Sequence, residues 1–278
     1  MTTKKTVLIT GSTRGIGLAL ATHYTEAGWN VIGTARANSN TDKLAALSPF
    51  KIVTIDTSDE ASTAEAARQL DGVAIDLLIN NAGTGWLTKI VEPTKDMFVK
   101  VFEVNVVGPF LVTRALQSNL QLAAKNHGTA SVVQISSILG SISSNADGSA
   151  QYDDALSGHG LRESNVAVVA VNPGYVDTEL TGNLGALKPA DVAASIANVV
   201  GDLSIKDTGK FLNADPTYPT RSFRGKWQTG ARIPSVKETA VYSPQSVQQL
   251  KGMLKDCPQH QWINQRSHET RTAFSQSE

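Results

Sequence analysis

Up to residue 214 the apolar positions fall into short, β-branched runs separated by stretches of helical spacing. Residues 6–10, 31–35, 52–55, 75–79, 130–135 and 166–171 are compact runs of the kind that form buried parallel strands, and residues 209–213 give a last short one. Between them, residues 15–27, 41–47, 60–70 and 189–200 space their apolar side chains as helices do. Gly28 stops the first helix, and Pro189 sits near the start of the last. Residues 95–125 carry one long helical pattern, which Pro109 is expected to bend. Strands alternating with helices predict βαβ units, and right-handed crossovers put helices on both faces of the sheet. The expected fold is a single α/β domain: a Rossmann-type doubly wound parallel sheet in three layers, α/β/α.

From Asp215 the pattern fades. Pro216, Pro219, Pro234, Pro244 and Pro258 punctuate a polar stretch, and only residues 247–254 offer a weak helix. Residues 1–214 are expected to form the α/β domain, and residues 215–278 a polar, partly disordered tail that Trp227 and Trp262 anchor. The chain of 278 residues carries 25 basic and 25 acidic side chains, which points away from nucleic acid and membrane surfaces as partners. The single cysteine, Cys257, allows no intrachain disulfide. The apolar run of residues 7–9 is too short for a signal peptide, so the expected location is the cytoplasm. The histidines have no metal-ligand spacing, and there is no G-x-S-x-G elbow for serine hydrolysis.

The chemistry is densest at Thr10-Gly11-Ser12-Thr13-Arg14-Gly15-Ile16-Gly17, between the first strand and the first helix. Gly11 permits the tight exit, Gly15 lets backbone approach phosphate oxygens, and Gly17 lets the helix pack close to the sheet. The free N–H groups and positive dipole end of the helix suit the pyrophosphate of a dinucleotide. Arg36 follows the second strand where NAD-binding units place an acid. An arginine there favours the 2′-phosphate of NADP(H), with NAD(H) the lesser alternative, or it is a solvated surface side chain.

Further segments follow in an order that resembles the short-chain dehydrogenase/reductase family across residues 5–214. Asp56 resembles its adenine-contacting acid, and Asn80-Asn81-Ala82-Gly83 its turn after the fourth strand. Asn105 resembles its helix asparagine, and Ile135-Ser136-Ser137 its fifth-strand serine motif. Pro173-Gly174-Tyr175-Val176-Asp177-Thr178 resembles the segment that closes over the nicotinamide. The sequence is most similar to the C-factor-like carbonyl reductases in the family. The resemblance implies that Gly11, Thr13, Arg14, Gly15, Ile16, Gly17, Arg36, Asp56, Asn80, Asn81, Ala82, Gly83, Tyr152, Pro173, Gly174, Val176 and Thr178 hold the cofactor. It implies that Ser137 orients a carbonyl, Tyr152 donates the proton and Asn105 organises the site. The implied partner is a small carbonyl or alcohol substrate, with secondary metabolism as one setting.

The family's lysine, four residues after the tyrosine, is missing: Leu156 stands there, and no lysine occurs between Lys125 and Lys188. Without that charge Tyr152 should titrate near an ordinary tyrosine, about 10, and Asp153 and Asp154 oppose its ionisation further. His159 or Arg162 is the candidate replacement cation. The helix that normally carries the lysine is also shortened here. In the family that helix supplies half of a four-helix dimer interface, so the usual homo-oligomer is in question. A reductase, a cofactor-binding protein without turnover, and a non-redox cyclase or isomerase on the same fold all remain open at this point.

Overall fold

Each apolar run becomes a strand in the computed structural model, which is described here for residues 4–85, 94–137 and 161–214. The strands are β1 (Thr6–Ile9), β2 (Asn30–Ala35), β3 (Lys51–Thr54), β4 (Leu77–Asn80), β5 (Ala130–Ile135), β6 (Val166–Asn172) and β7 (Phe211–Asn213). They form one parallel sheet in the order β3-β2-β1-β4-β5-β6-β7. The order reverses direction at β1, between β2 and β4, and doubly wound sheets place their ligand cleft at such a point.

Side-chain alternation sorts the sheet into two cores. Val7, Ile9, Ile79, Val133 and Val171 pack against Leu20 and Tyr24 of α1 (Gly15–Glu26) and Val192 and Ile196 of α7 (Pro189–Gly201). Leu8, Ile32, Leu78, Val132 and Val168 face the other way. They meet Ala66 of α3 (Glu60–Gln69), Val112 of α5 (Gly108–Ala115) and Leu120 of α6 (Gln117–His127). Leu8, Leu20, Leu78, Leu120 and Ile196 are wholly buried, each a gain of about 1.5–3 kcal/mol. A short helix, α2 (Asp42–Ala45), follows β2. The expected three-layer α/β/α architecture is the one found.

Two departures bear on the site. The predicted single bent helix over 95–125 is instead three helices with an insertion. Helix α4 (Lys95–Phe102) runs into a π-helical segment, Glu103–Val107, before α5 and α6 follow. Pro109 has no N–H to give the carbonyl four or five residues earlier, and the helix widens into a π-helical turn just before it. A second break falls at Leu116, whose backbone leaves helical geometry at φ −96°, ψ 11°. Strand β4 also starts two residues later than its apolar run. Asp76 there is buried, with its carboxylate accepting from the Thr6 N–H at 2.7 Å and pairing with His127 Nδ1 at 2.5 Å.

All described residues lie within one unit, Met1–Arg224. The tail, with Trp227, Cys257, Trp262 and the weak helix at 247–254, lies outside the described residues. Among the described residues no helix is long and apolar enough to cross a membrane.

Candidate active site

The carboxyl ends of β1, β2, β4, β5 and β6 open into a cleft of about 2160 Å3. Ordinary ligand pockets occupy roughly 300–1,000 Å3, so this one has room for a dinucleotide and a second molecule.

The glycine-rich turn lies at its centre. Gly11 and Gly15 hold φ of +67° and +55°, where side chains are strained. A Cβ on Gly17 would lie 2.2 Å from the Gly11 carbonyl oxygen, so only glycine lets α1 start this close to the turn. The turn is braced by small polar side chains that the sequence reading passed over. Thr10 Oγ1 accepts from the N–H groups of Asn81 and Ala82, both at 2.9 Å. Ser12 is buried; its hydroxyl donates to the Ile9 carbonyl at 2.6 Å and accepts from the Thr34 N–H at 3.1 Å. Thr34 Oγ1 in turn accepts from the Gly11 N–H at 3.2 Å. The one available signal was hydroxyl residues flanking the first glycine, and in a β-branched run these read simply as strand.

The Asn80–Gly83 turn divides its labour. Asn81 donates its amide to the carbonyls of Thr10 at 2.9 Å and Gly11 at 3.3 Å, tying β4 to the glycine-rich turn. Asn80 is buried and donates to Thr113 Oγ1 of α5 at 3.0 Å. Asn105 sits in the middle of the π-helical segment. It holds the next residues by both amide atoms, accepting from the Thr84 N–H at 2.9 Å and donating to the Thr84 carbonyl at 2.8 Å.

Arg36 and Asp56 lie together at the outer end of the cleft. Hydrogen bonds from the Ser58 hydroxyl and N–H, at 2.7 and 3.0 Å, hold the Asp56 carboxyl below the usual range; Lys100 and Arg36 add to this, and partial burial opposes it. Thr13 and Ile16 line the cleft beside the turn. Arg14 is engaged elsewhere, in an ion pair with Glu179 at 3.0 Å. Thr178 places a methyl 3.3 Å from where a Gly15 Cβ would stand, so residues 173–178 do reach over the turn. Within them Pro173 and Gly174 line the wall. Val176 is buried in the α1/α7 core, leaving its backbone to face a ligand.

Ser136 and Ser137 both line the cleft. Alternation along β5 puts Gln134 and Ser136 on the α5 face, where both Gln134 amide atoms and Ser136 Oγ are buried without a hydrogen-bond partner among the described residues. Tyr152, Leu156 and His159 lie outside the described residues. Arg162 is described, and its place corrects the expectation that it replaces the missing lysine. It belongs to a 3₁₀ turn, Arg162–Ser164, that precedes β6. The cleft lies at the far end of that strand, about 20 Å away at 3.3 Å per residue.

The family model described as short chain dehydrogenase matches residues 5–153. The mouse protein dehydrogenase/reductase SDR family member 7B is 30% identical over 200 residues, covering 64% of this chain and 59% of that relative. Thus the chain spans less than two thirds of the length of this curated relative. Serine 3-dehydrogenase of Rhizobium radiobacter is 34% identical over 189 residues, 63% of this chain and 74% of its own. Among solved structures, the NADPH-bound carbonyl reductase from chicken fatty liver aligns with a TM-score of 0.67 at 30% identity, over 77% of this chain and 97% of that one.

Proposed function

The chain belongs to the short-chain dehydrogenase family, and from that premise we propose an NADP(H)-dependent oxidoreductase that reduces a ketone or aldehyde of a small organic molecule, or oxidises the alcohol. The observation that carries this reading is the open N-terminus of α1. Arg14, at its N-cap, makes no side-chain capping bond, and the first turn holds no acid. A helix of twelve residues therefore starts with N–H groups and a dipole that no side chain answers, beside glycines that leave backbone bare. A pyrophosphate fits that donor set. Arg36 fits a 2′-phosphate and Asp56 fits the adenine; the similar chicken structure is NADPH-bound. Asn81 and Thr178 keep the cradle in shape.

When bound, the cofactor supplies or takes up the hydride. Ser137 donates its hydroxyl to the carbonyl oxygen, and Tyr152 delivers the proton that oxygen needs as it becomes an alcohol. Asn105 keeps Thr84 and the turn before it in place against the reacting groups. A tyrosine without a cationic neighbour stays protonated at neutral pH, so it serves as an acid far better than as a base.

Leu156 favours a second reading, cofactor binding without turnover. One experiment separates the two: NADPH oxidation followed against a panel of carbonyls, alongside NADPH binding. Turnover that falls with Tyr152→Phe, and rises roughly 10²-fold with Leu156→Lys, is the expected result. Tight NADPH binding with no oxidation of any carbonyl would leave the binding protein as the answer.

A further inference from the structure

The sheet face that looks towards α5 and α6 changes character along its strands. Leu78 of β4 and Val132 of β5 are apolar and wholly buried in that core. Two residues further on, the same face carries Asn80 and Gln134, with Ser136 beyond them. Asn80 and Gln134 are partners in the register of β4 with β5. Neighbouring strands lie about 4.8 Å apart, so the two side chains stand next to each other.

Asn80 is 3% exposed. Its amide nitrogen is accounted for by the bond to Thr113 Oγ1 of α5 at 3.0 Å, which leaves the amide oxygen. Asn80 Oδ1, both amide atoms of Gln134 and Ser136 Oγ are buried with no hydrogen-bond partner among the described residues. Among the described residues no other side-chain atom is left in this state. Orphans produced by local strain would scatter over the molecule, whereas all four fall on adjacent positions of one face. Left dry, each forfeits the bonds it makes to solvent in the unfolded chain.

The four atoms define what can answer them. Asn80 Oδ1 and Gln134 Oε1 accept, Gln134 Nε2 donates, and the Ser136 hydroxyl does either. A metal cation would suit the oxygens but would set a positive charge against Gln134 Nε2, and none of the three side chains is a carboxylate to balance it. An anion would face two amide oxygens. A neutral molecule that both donates and accepts, and that is small enough for a closed site, suits all four.

We propose that Asn80, Gln134 and Ser136 form a binding site for internal water, and that this water ties β4 to the end of β5 on which Ser137 stands. The tie has a place to act. Asn80 with Gln134 is the last register pair of β4 with β5, so no further ladder pair holds Ser136 and Ser137 on that side. On the other side the Ser136 N–H donates to the Val171 carbonyl of β6 at 2.9 Å. The site holds water whether or not the bound cofactor is turned over, so it stands apart from the oxidoreductase reading.

The test is a high-resolution crystal structure of the full chain, with thermal unfolding and amide hydrogen exchange of Gln134→Met and Ser136→Ala. The crystal is expected to show ordered water bonded to Gln134 and to Asn80 or Ser136. A cluster without water, or a direct bond between Gln134 and Asn80 that uses up the free atoms, overturns the site. The variants decide independently, because a wet and a dry cluster give opposite signs. In a dry cluster either substitution removes orphaned atoms and raises Tm. Around bound water each takes away a partner, and Tm should fall by about 2–4 °C with Gln134→Met and less with Ser136→Ala. A rise or no change in Tm overturns the proposal. If the water ties the strand end, exchange of the Ser136 N–H should quicken in Gln134→Met at least about tenfold more than that of the Val132 N–H. Equal quickening at both would mean a loss of overall stability and no local tie.

Discussion

Gly17 has no space for even one more carbon, because a Cβ would press on the Gly11 carbonyl oxygen at 2.2 Å and the Asn81 amide nitrogen at 2.6 Å. Gly17→Ala must therefore push α1 away from the turn. The expected cost is about 2–3 kcal/mol in urea unfolding, together with loss of measurable NADPH binding. A variant with parental stability and affinity would show that the turn is not the cradle described. At this scale the glycines were legible, since only their lack of a side chain suits a strand-to-helix exit against phosphate. Thr10 and Ser12 were not, because a buried hydroxyl bonding to a neighbouring strand looks in sequence like one more strand residue. Arg162 was misplaced for a related reason: nearness to Tyr152 in sequence says nothing about which end of β6 a turn occupies.

Among the elements, the short 3₁₀ turn Ile205–Asp207 that leads into β7 gives the clearest dependence on conditions. Asp207 accepts from Lys210 Nζ at 2.5 Å and from the N–H and hydroxyl of Ser204, each at 2.8 Å. The Lys210 bond first, then those from Ser204, pull its pKa down to about 2. An unfolded aspartate titrates near 3.9, so the native state favours the ionised form. The resulting stabilisation is complete above about pH 4 and disappears as the pH falls towards 2. Asp207→Asn should lower the unfolding midpoint at pH 7 and flatten its pH dependence between about 4 and 2. Parallel pH profiles for the two proteins would contradict this. The strands were legible from apolar runs because both faces of a parallel sheet are buried. The π-helical segment was not: an extra residue in one turn changes no side chain, and Pro109 announces a lost hydrogen bond without saying how the helix absorbs it. Residues 178–187 read as a plain loop, although Thr178 and Thr181 give it an internal frame.

For the molecule as a whole, a cradle that exists only in the folded chain links ligand to stability. With NADPH at a hundred times its Kd, the native state should gain about 2.7 kcal/mol. That corresponds to a rise of roughly 5–10 °C in Tm, and NADH at equal concentration should give less. An equal rise with both would remove the role assigned to Arg36. The three-layer architecture was legible at this scale because strand and helix periods alternate so regularly. The strand order was not, since a one-dimensional pattern does not say where the winding reverses. That order has a consequence for how the chain is made. Every neighbouring pair is parallel, so no hairpin can nucleate the sheet, and Val7 must wait for Leu77 as Val133 waits for Val169. Of the described strands β1 comes first in the chain and ends up between two partners, and one of its edges stays bare until β4 has been translated. High contact order of this kind slows folding and leaves such an edge open to aggregation until its partner arrives.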